Sequence, residues 1–157
     1  MLNWLKSLFA RPKPAGPQHL LRAFASDQPT ITQSGIRVEN GAWHINASAE
    51  EQTLRLFEVE NPAVEQCLLT YRTELKAEGL QGRAFLEMWC RLPGRGEFFS
   101  KGYEQAVSGT VDWARYEIPF YLKGDQKPDL IKLNVVVEGP GTVWLRNVEL
   151  LKTPLAS

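Results

Sequence analysis

The sequence predicts an all-β sandwich of about eight to nine antiparallel strands, preceded by a short N-terminal amphipathic helix. Three observations carry that expectation. From Gly35 onward apolar residues recur with period two, as in Leu69, Tyr71, Thr73 and Leu75 or Ile131, Leu133, Val135 and Val137. The alternating runs are short and punctuated by turn signals: Asn40-Gly41, Asn61-Pro62, Pro93-Gly-Arg-Gly96 and Gly139-Pro-Gly141. No helical period follows residue 30. The chain has 157 residues, enough for one domain that buries its own core without a disulfide or metal staple.

In order, residues 1–17 read as a helix and a Pro-rich linker, and residues 18–157 as the sandwich domain. Leu2, Leu5, Leu8 and Phe9 share one side of the predicted helix with Trp4 at its flank, and Pro12, Pro14 and Pro17 end it. Such a segment suits a membrane surface, a partner protein or its own domain equally well. His19–Ala25 is spaced for a short helix on Leu20, Leu21 and Phe24. Strands follow at 36–38, 42–46, 53–59 and 66–76. Residues 79–82 are expected to turn the chain into a separate strand at 83–92. Further strands are expected at 97–100, 112–122, 129–137 and 141–151. Pro119 places the strand over 112–122 near an edge or at a bulge.

The 18 basic and 18 acidic side chains cancel, which removes the global field that nucleic-acid binding relies on. Cys67 and Cys90 sit in apolar runs and read as two buried thiols, although a pairing between them stays open. The N-terminus lacks the pattern of a secretory signal, so a cytoplasmic location is expected, with membrane association through residues 1–10 as the alternative.

The order of motifs from Tyr71 to Leu151 resembles the carbohydrate-binding jelly rolls of the galactose-binding-like superfamily. The resemblance rests on Leu69-Thr-Tyr-Arg-Thr-Glu-Leu-Lys76, Ala84-Phe-Leu-Glu-Met-Trp89, Gly109-Thr-Val-Asp-Trp113 and Gly141-Thr-Val-Trp-Leu-Arg-Asn-Val148. Leu86-Glu-Met-Trp-Cys90 and Glu97-Phe-Phe-Ser100 also look like an uncharacterised bacterial family of that type. The resemblance implies a jelly-roll sandwich and a glycan-like or small polar ligand. Many such relatives carry paired Asp where this chain has Arg146 and Asn147, and a guanidinium there disfavours a structural calcium.

No catalytic constellation is legible. His19 and His44 lack the context of a nucleophile elbow, a zinc pair or a Cys–His couple, so no enzyme activity, cofactor or metal is expected. Binding is the stronger expectation. If Ala84, Leu86, Met88 and Cys90 face the core, then Phe85, Glu87, Trp89 and Arg91 face outward. An indole beside a carboxylate and a guanidinium suits a sugar, since the ring stacks on C–H faces and the charged groups bond hydroxyls. Arg72 and Arg115 are outward by the alternation of their own strands, with Glu74, Glu117, Lys132 and Asn134 alongside. In the loop over 92–103, Phe99 and Tyr103 are candidate ligand contacts, and Phe98 is expected to plug the core. The competing function is an intracellular adaptor docked to a membrane or partner through Leu2, Trp4, Leu5, Leu8 and Phe9.

Overall fold

The computed structural model describes residues 12–157. The helix expected over residues 1–10 lies outside them. The described chain forms strands β1 (His19–Phe24), β2 (Ile36–Glu39), β3 (Ala42–Ala47), β4 (Gln52–Glu60), β5 (Cys67–Leu92), β6 (Gly96–Lys101), β7 (Val107–Leu122), β8 (Leu130–Val137) and β9 (Gly141–Pro154). A 3-10 turn at Tyr103–Gln105 joins β6 to β7. All strand pairings are antiparallel.

The sheet curls into two layers because β5 runs through both. Residues 67–78 of β5 pair with β9, and residues 67–84 pair with β7. Beyond the bend, residues 84–91 pair with β8 and residues 87–92 with β6. The front layer therefore runs β2, β3, β9, β5 and β7, with β1 on the far half of β9, and the back layer runs β4, β8, β5 and β6. Side chains meet between them. Phe24 of β1 stacks on Phe57 of β4 at 4.2 Å, and the Trp43 ring lies edge-on to Phe57 at 5.4 Å. The Tyr71 hydroxyl donates across the core to the Asn134 carbonyl at 3.2 Å, which satisfies a buried phenol.

Two expectations need correction. Residues 19–24 form β1, not a helix: β1 fills the open edge of β9 beside Val148–Lys152 and buries Phe24 against Phe57. Tertiary pairing outweighs a weak local spacing. Residues 79–82 do not end a strand; β5 continues through them. Leu80 is buried there, and the bend packs tightly against the β8–β9 turn. A Cβ at Gly82 would collide with the Glu138 carbonyl, and one at Gly141 would sit 2.5 Å from the Leu80 Cα. These glycines serve close backbone approach. Gln81 N–H donates to the Pro140 carbonyl at 2.9 Å and Glu138 N–H to the Arg83 carbonyl at 2.8 Å, which ties bend to turn.

The outer edge of β7 is guarded. Glu117 N–H donates to the Gln105 side chain at 3.1 Å, and Trp113 N–H donates to the Asp112 carboxylate at 2.8 Å. Pro119, of the same parity, has no N–H to offer, so the expected edge position of Pro119 is observed. At the other end of the domain, Ala15 N–H donates to the Pro154 carbonyl at 2.8 Å and Ala156 N–H to the Lys13 carbonyl at 2.8 Å.

Candidate functional site

The outward face of the back layer gathers most of the candidate residues. Phe85, Glu87, Trp89 and Arg91 alternate outward on β5 while Ala84, Leu86, Met88 and Cys90 are buried in the core. The register sets Glu87 between Asn134 of β8 and Lys101 of β6, and Trp89 between Lys132 and Phe99. On β4 the ladder slips between Arg55 and Phe57. That bulge sends Arg55 and Glu58 to the same face.

Glu87 is the polar centre. Its Oε1 accepts from the Trp89 indole N–H at 2.8 Å and from the Asn134 amide at 2.9 Å, and Lys101 Nζ lies 3.5 Å from Oε2. Arg55 Nε donates to Asn134 Oδ1 at 3.4 Å, and its Nη1 reaches Glu58 at 3.2 Å. Lys132 Nζ meets Glu97 at 2.6 Å, and that hydrogen bond holds the Glu97 carboxyl below the usual glutamate range. Arg91 grips Asp129 with two bonds, at 2.8 and 3.2 Å, lowering the aspartate and raising its own affinity for its proton. Opposite charges thus alternate across the face, each with a partner.

The aromatic groups form one border. Trp89 and Phe99 are 5.1 Å apart with planes inclined 53°. Phe85 and Tyr103 are 4.8 Å apart. Lys101 Nζ joins the two pairs, 4.8 Å from the Phe99 centroid and 5.9 Å from that of Tyr103, and Arg83 lies 5.3 Å over Tyr103. Phe99 is 54 % exposed and Tyr103 50 %, whereas Trp89 is half-buried with its N–H already engaged. The arrangement offers open ring faces beside polar groups held in fixed orientation.

The structure brings together Trp89, Glu87, Arg91, Phe99 and Tyr103, and separates Arg72 and Arg115 from them. Those two arginines belong to the front layer and face away from the back layer. Each points outward on its own stretch of strand, but β5 changes layers, and its alternation shifts, between Arg72 and Trp89. Phe98 does not plug the core; it is 45 % exposed. It has core-side parity opposite Cys90, yet β6 is the end strand of its layer and overhangs. Leu2, Trp4, Leu5, Leu8 and Phe9 lie outside the described residues. Strict alternation hid Arg55 and Glu58, because only the bulge places both outward. Of the histidines, His19 is exposed, and His44 is buried edge-on to Trp144 at 5.3 Å with Nδ1 unpartnered among the described residues.

No protein-family model matches the sequence, and no curated protein sequence matches it. Solved structures do. The family 22 xylan-binding domain of Paenibacillus barcinonensis Xyn10C superposes with a TM-score of 0.58 at 11% identity, covering 92% of this chain and 99% of that one. The chain has the carbohydrate-binding-module β-sandwich fold. The tandem family 22 domains of the same Xyn10C give a TM-score of 0.57 at 10% identity over 94% of this chain and 48% of that one. A family 29 carbohydrate-binding module variant, complexed with cellulohexaose, gives 0.50 at 11% over 88% and 92%. At such identities the likeness is of backbone; the side chains of the face have to be argued on their own chemistry.

Proposed function

We propose that this protein is a non-catalytic glycan-binding domain that holds a neutral oligosaccharide chain on the outward face of its back layer. The observation that carries the reading is the exposed Phe99 ring beside Trp89, bordering the ordered Glu87–Asn134–Arg55 network. Sugar C–H faces stack on Phe99 and Trp89, and Tyr103 offers a further ring along the same border. Lys101, Arg55 and the free lone pairs of Glu58 bond hydroxyls, held in place by the buried Glu87. A neutral ligand fits because Arg55, Arg91, Lys101 and Lys132 each already face a carboxylate. Supporting the class of ligand, structural neighbours include a xylan-binding domain and modules solved with xylohexaose and cellulohexaose.

Phe99→Ala is the decisive variant, since an exposed ring can be removed without opening the core. Calorimetric titration with xylohexaose and cellohexaose is expected to give binding to the full chain and a loss of about tenfold in the variant, the scale of one aromatic contact. The thermal melt should hardly move. Equal affinity of the two proteins for the hexaose would sink the proposed site.

A further inference from the structure

The front layer carries a separate cleft of about 480 Å³ on its own outward face. It opens where β9 bulges: Asn147 adopts a left-handed φ of 56°, and the β5–β9 register shifts between Arg72 and Glu74. Bulges re-aim side chains in this way. Ala23 and Ala25 form a small apolar wall, the Phe24 ring between them turning inward onto Phe57, and Arg72, Glu74, Arg115 and Glu149 form a polar one. Glu74 is already satisfied. Arg146 reaches it with Nε at 3.2 Å and Nη2 at 3.4 Å, and the Asn147 amide donates to the same carboxylate. Arg146 is itself fixed, its guanidinium 4.0 Å over the Trp113 ring. Arg72 uses Nε on Glu149 at 3.0 Å. Arg115 differs: it lies across the ladder from Glu74, whose carboxylate feels its charge, but among the described arginines it alone has neither a hydrogen-bonded carboxylate nor a ring beneath it.

We propose that this cleft binds a small polyhydroxylated monocarboxylate, the chemistry of an acidic sugar, with Arg115 taking the carboxylate and Arg72 beside it. A guanidinium fork matches a carboxylate with two parallel hydrogen bonds. Glu74 and Glu149 limit the ligand to a single negative charge, because a second would be repelled. Their remaining lone pairs accept hydroxyl protons, and the methyl groups of Ala23 and Ala25 cover a C–H face. The volume lies within the ~300–1,000 Å³ usual for ligand sites. Inorganic phosphate, more highly charged and without an apolar face, fits poorly.

The test is a titration of the full-length chain with D-glucuronate, D-glucose and inorganic phosphate, followed by ¹⁵N–¹H correlation spectra. Glucuronate is expected to bind, with glucose and phosphate each weaker by about tenfold or more, as for loss of a charge-assisted hydrogen bond. Arg115→Ala should weaken glucuronate by a similar factor, Arg115→Lys by less, and Phe99→Ala not at all. Undiminished binding in Arg115→Ala, equal binding of glucose or phosphate, or no binding of glucuronate would each overturn the inference. Loss of glucuronate binding in Phe99→Ala would also overturn it, by placing the acid on the back-layer face; hexaose binding, read separately there, tests the neutral-glycan reading. Should Arg115→Ala lower the melt, Arg115→Lys decides: unchanged affinity there means the guanidinium fork is not the ligand's partner.

Discussion

Glu87 shows how one side chain orders a face. It is buried, its Oε1 accepts from two donors, and Lys101 lies beside the other oxygen. Glu87→Ala would leave the Trp89 N–H and the Asn134 amide without acceptors, at a cost of ~1–3 kcal/mol each. Urea unfolding is expected to report a loss of roughly 3 kcal/mol, and a loss below about 1 kcal/mol would mean that the network does not organise the face. Glu74, on the other layer, titrates low because Asn147 and then Arg146 donate to its carboxylate. Glu97, Asp125 and Asp129 are also held low, by bonds from Lys132, Arg95 and Arg91. A depressed folded pKa adds stability that is complete above the unfolded pKa and drains as pH falls through the folded one. The urea midpoint should therefore fall as pH drops below about 4, the unperturbed carboxylate range, and salt should blunt the exposed pairs' share. A midpoint that rises on acidification would have the wrong sign. At this scale the sequence was a good guide to type but not to partners. Trp89 beside Glu87 was legible as a polar-aromatic pair, whereas the Arg55–Asn134 bond joins residues far apart in the chain.

β5 is the element on which both layers depend. Its bend replaces the turn that Gly79 and Gly82 suggest, because these glycines look the same in sequence whether they leave a strand or let another backbone approach. The two positions separate the alternatives. Gly82→Ala drives a Cβ into the Glu138 carbonyl, whereas Gly79→Ala meets nothing within 4 Å and strains only a φ of 58°. Thermal melts should show Gly82→Ala the worse of the two, by ~1–3 kcal/mol of overpacking against ~1–2 kcal/mol of backbone strain. The reverse order would argue for a turn. Along β7, Pro119, Gln105 and Asp112 keep outward donors away from other chains. Pro119→Val with Gln105→Ala is expected to promote concentration-dependent self-association in sedimentation, and a strictly monomeric double variant would show that the edge needs no such guard.

For the whole molecule, the sandwich was legible in the sequence because alternation and turn spacing are local, and the resemblance to carbohydrate-binding jelly rolls pointed to the same fold. The order of strands was not legible, because pairing joins residues far apart in the chain. The assignment of faces was not legible. Arg72 and Trp89 both point outward from the same strand, yet the bend carries them to opposite sides of the domain. Cys67 and Cys90, near the two ends of β5, are both buried and free. Burial pushes their thiols up to about 11 and about 12. A thiol reagent at pH 8 should label neither until denaturant is added, and rapid labelling of native protein would place them at the surface. The glycan-binding face is tested most directly by a ¹⁵N–¹H correlation titration of the full-length protein with cellohexaose and xylohexaose, watching the Trp89 indole N–H. That proton is held by Glu87, on a ring whose centroid lies 5.1 Å from that of Phe99, so a hexaose on the back layer should shift it along with Phe99, Lys101 and Tyr103. Saturating hexaose that leaves these resonances still, or moves only those of the front layer, would contradict the central claim.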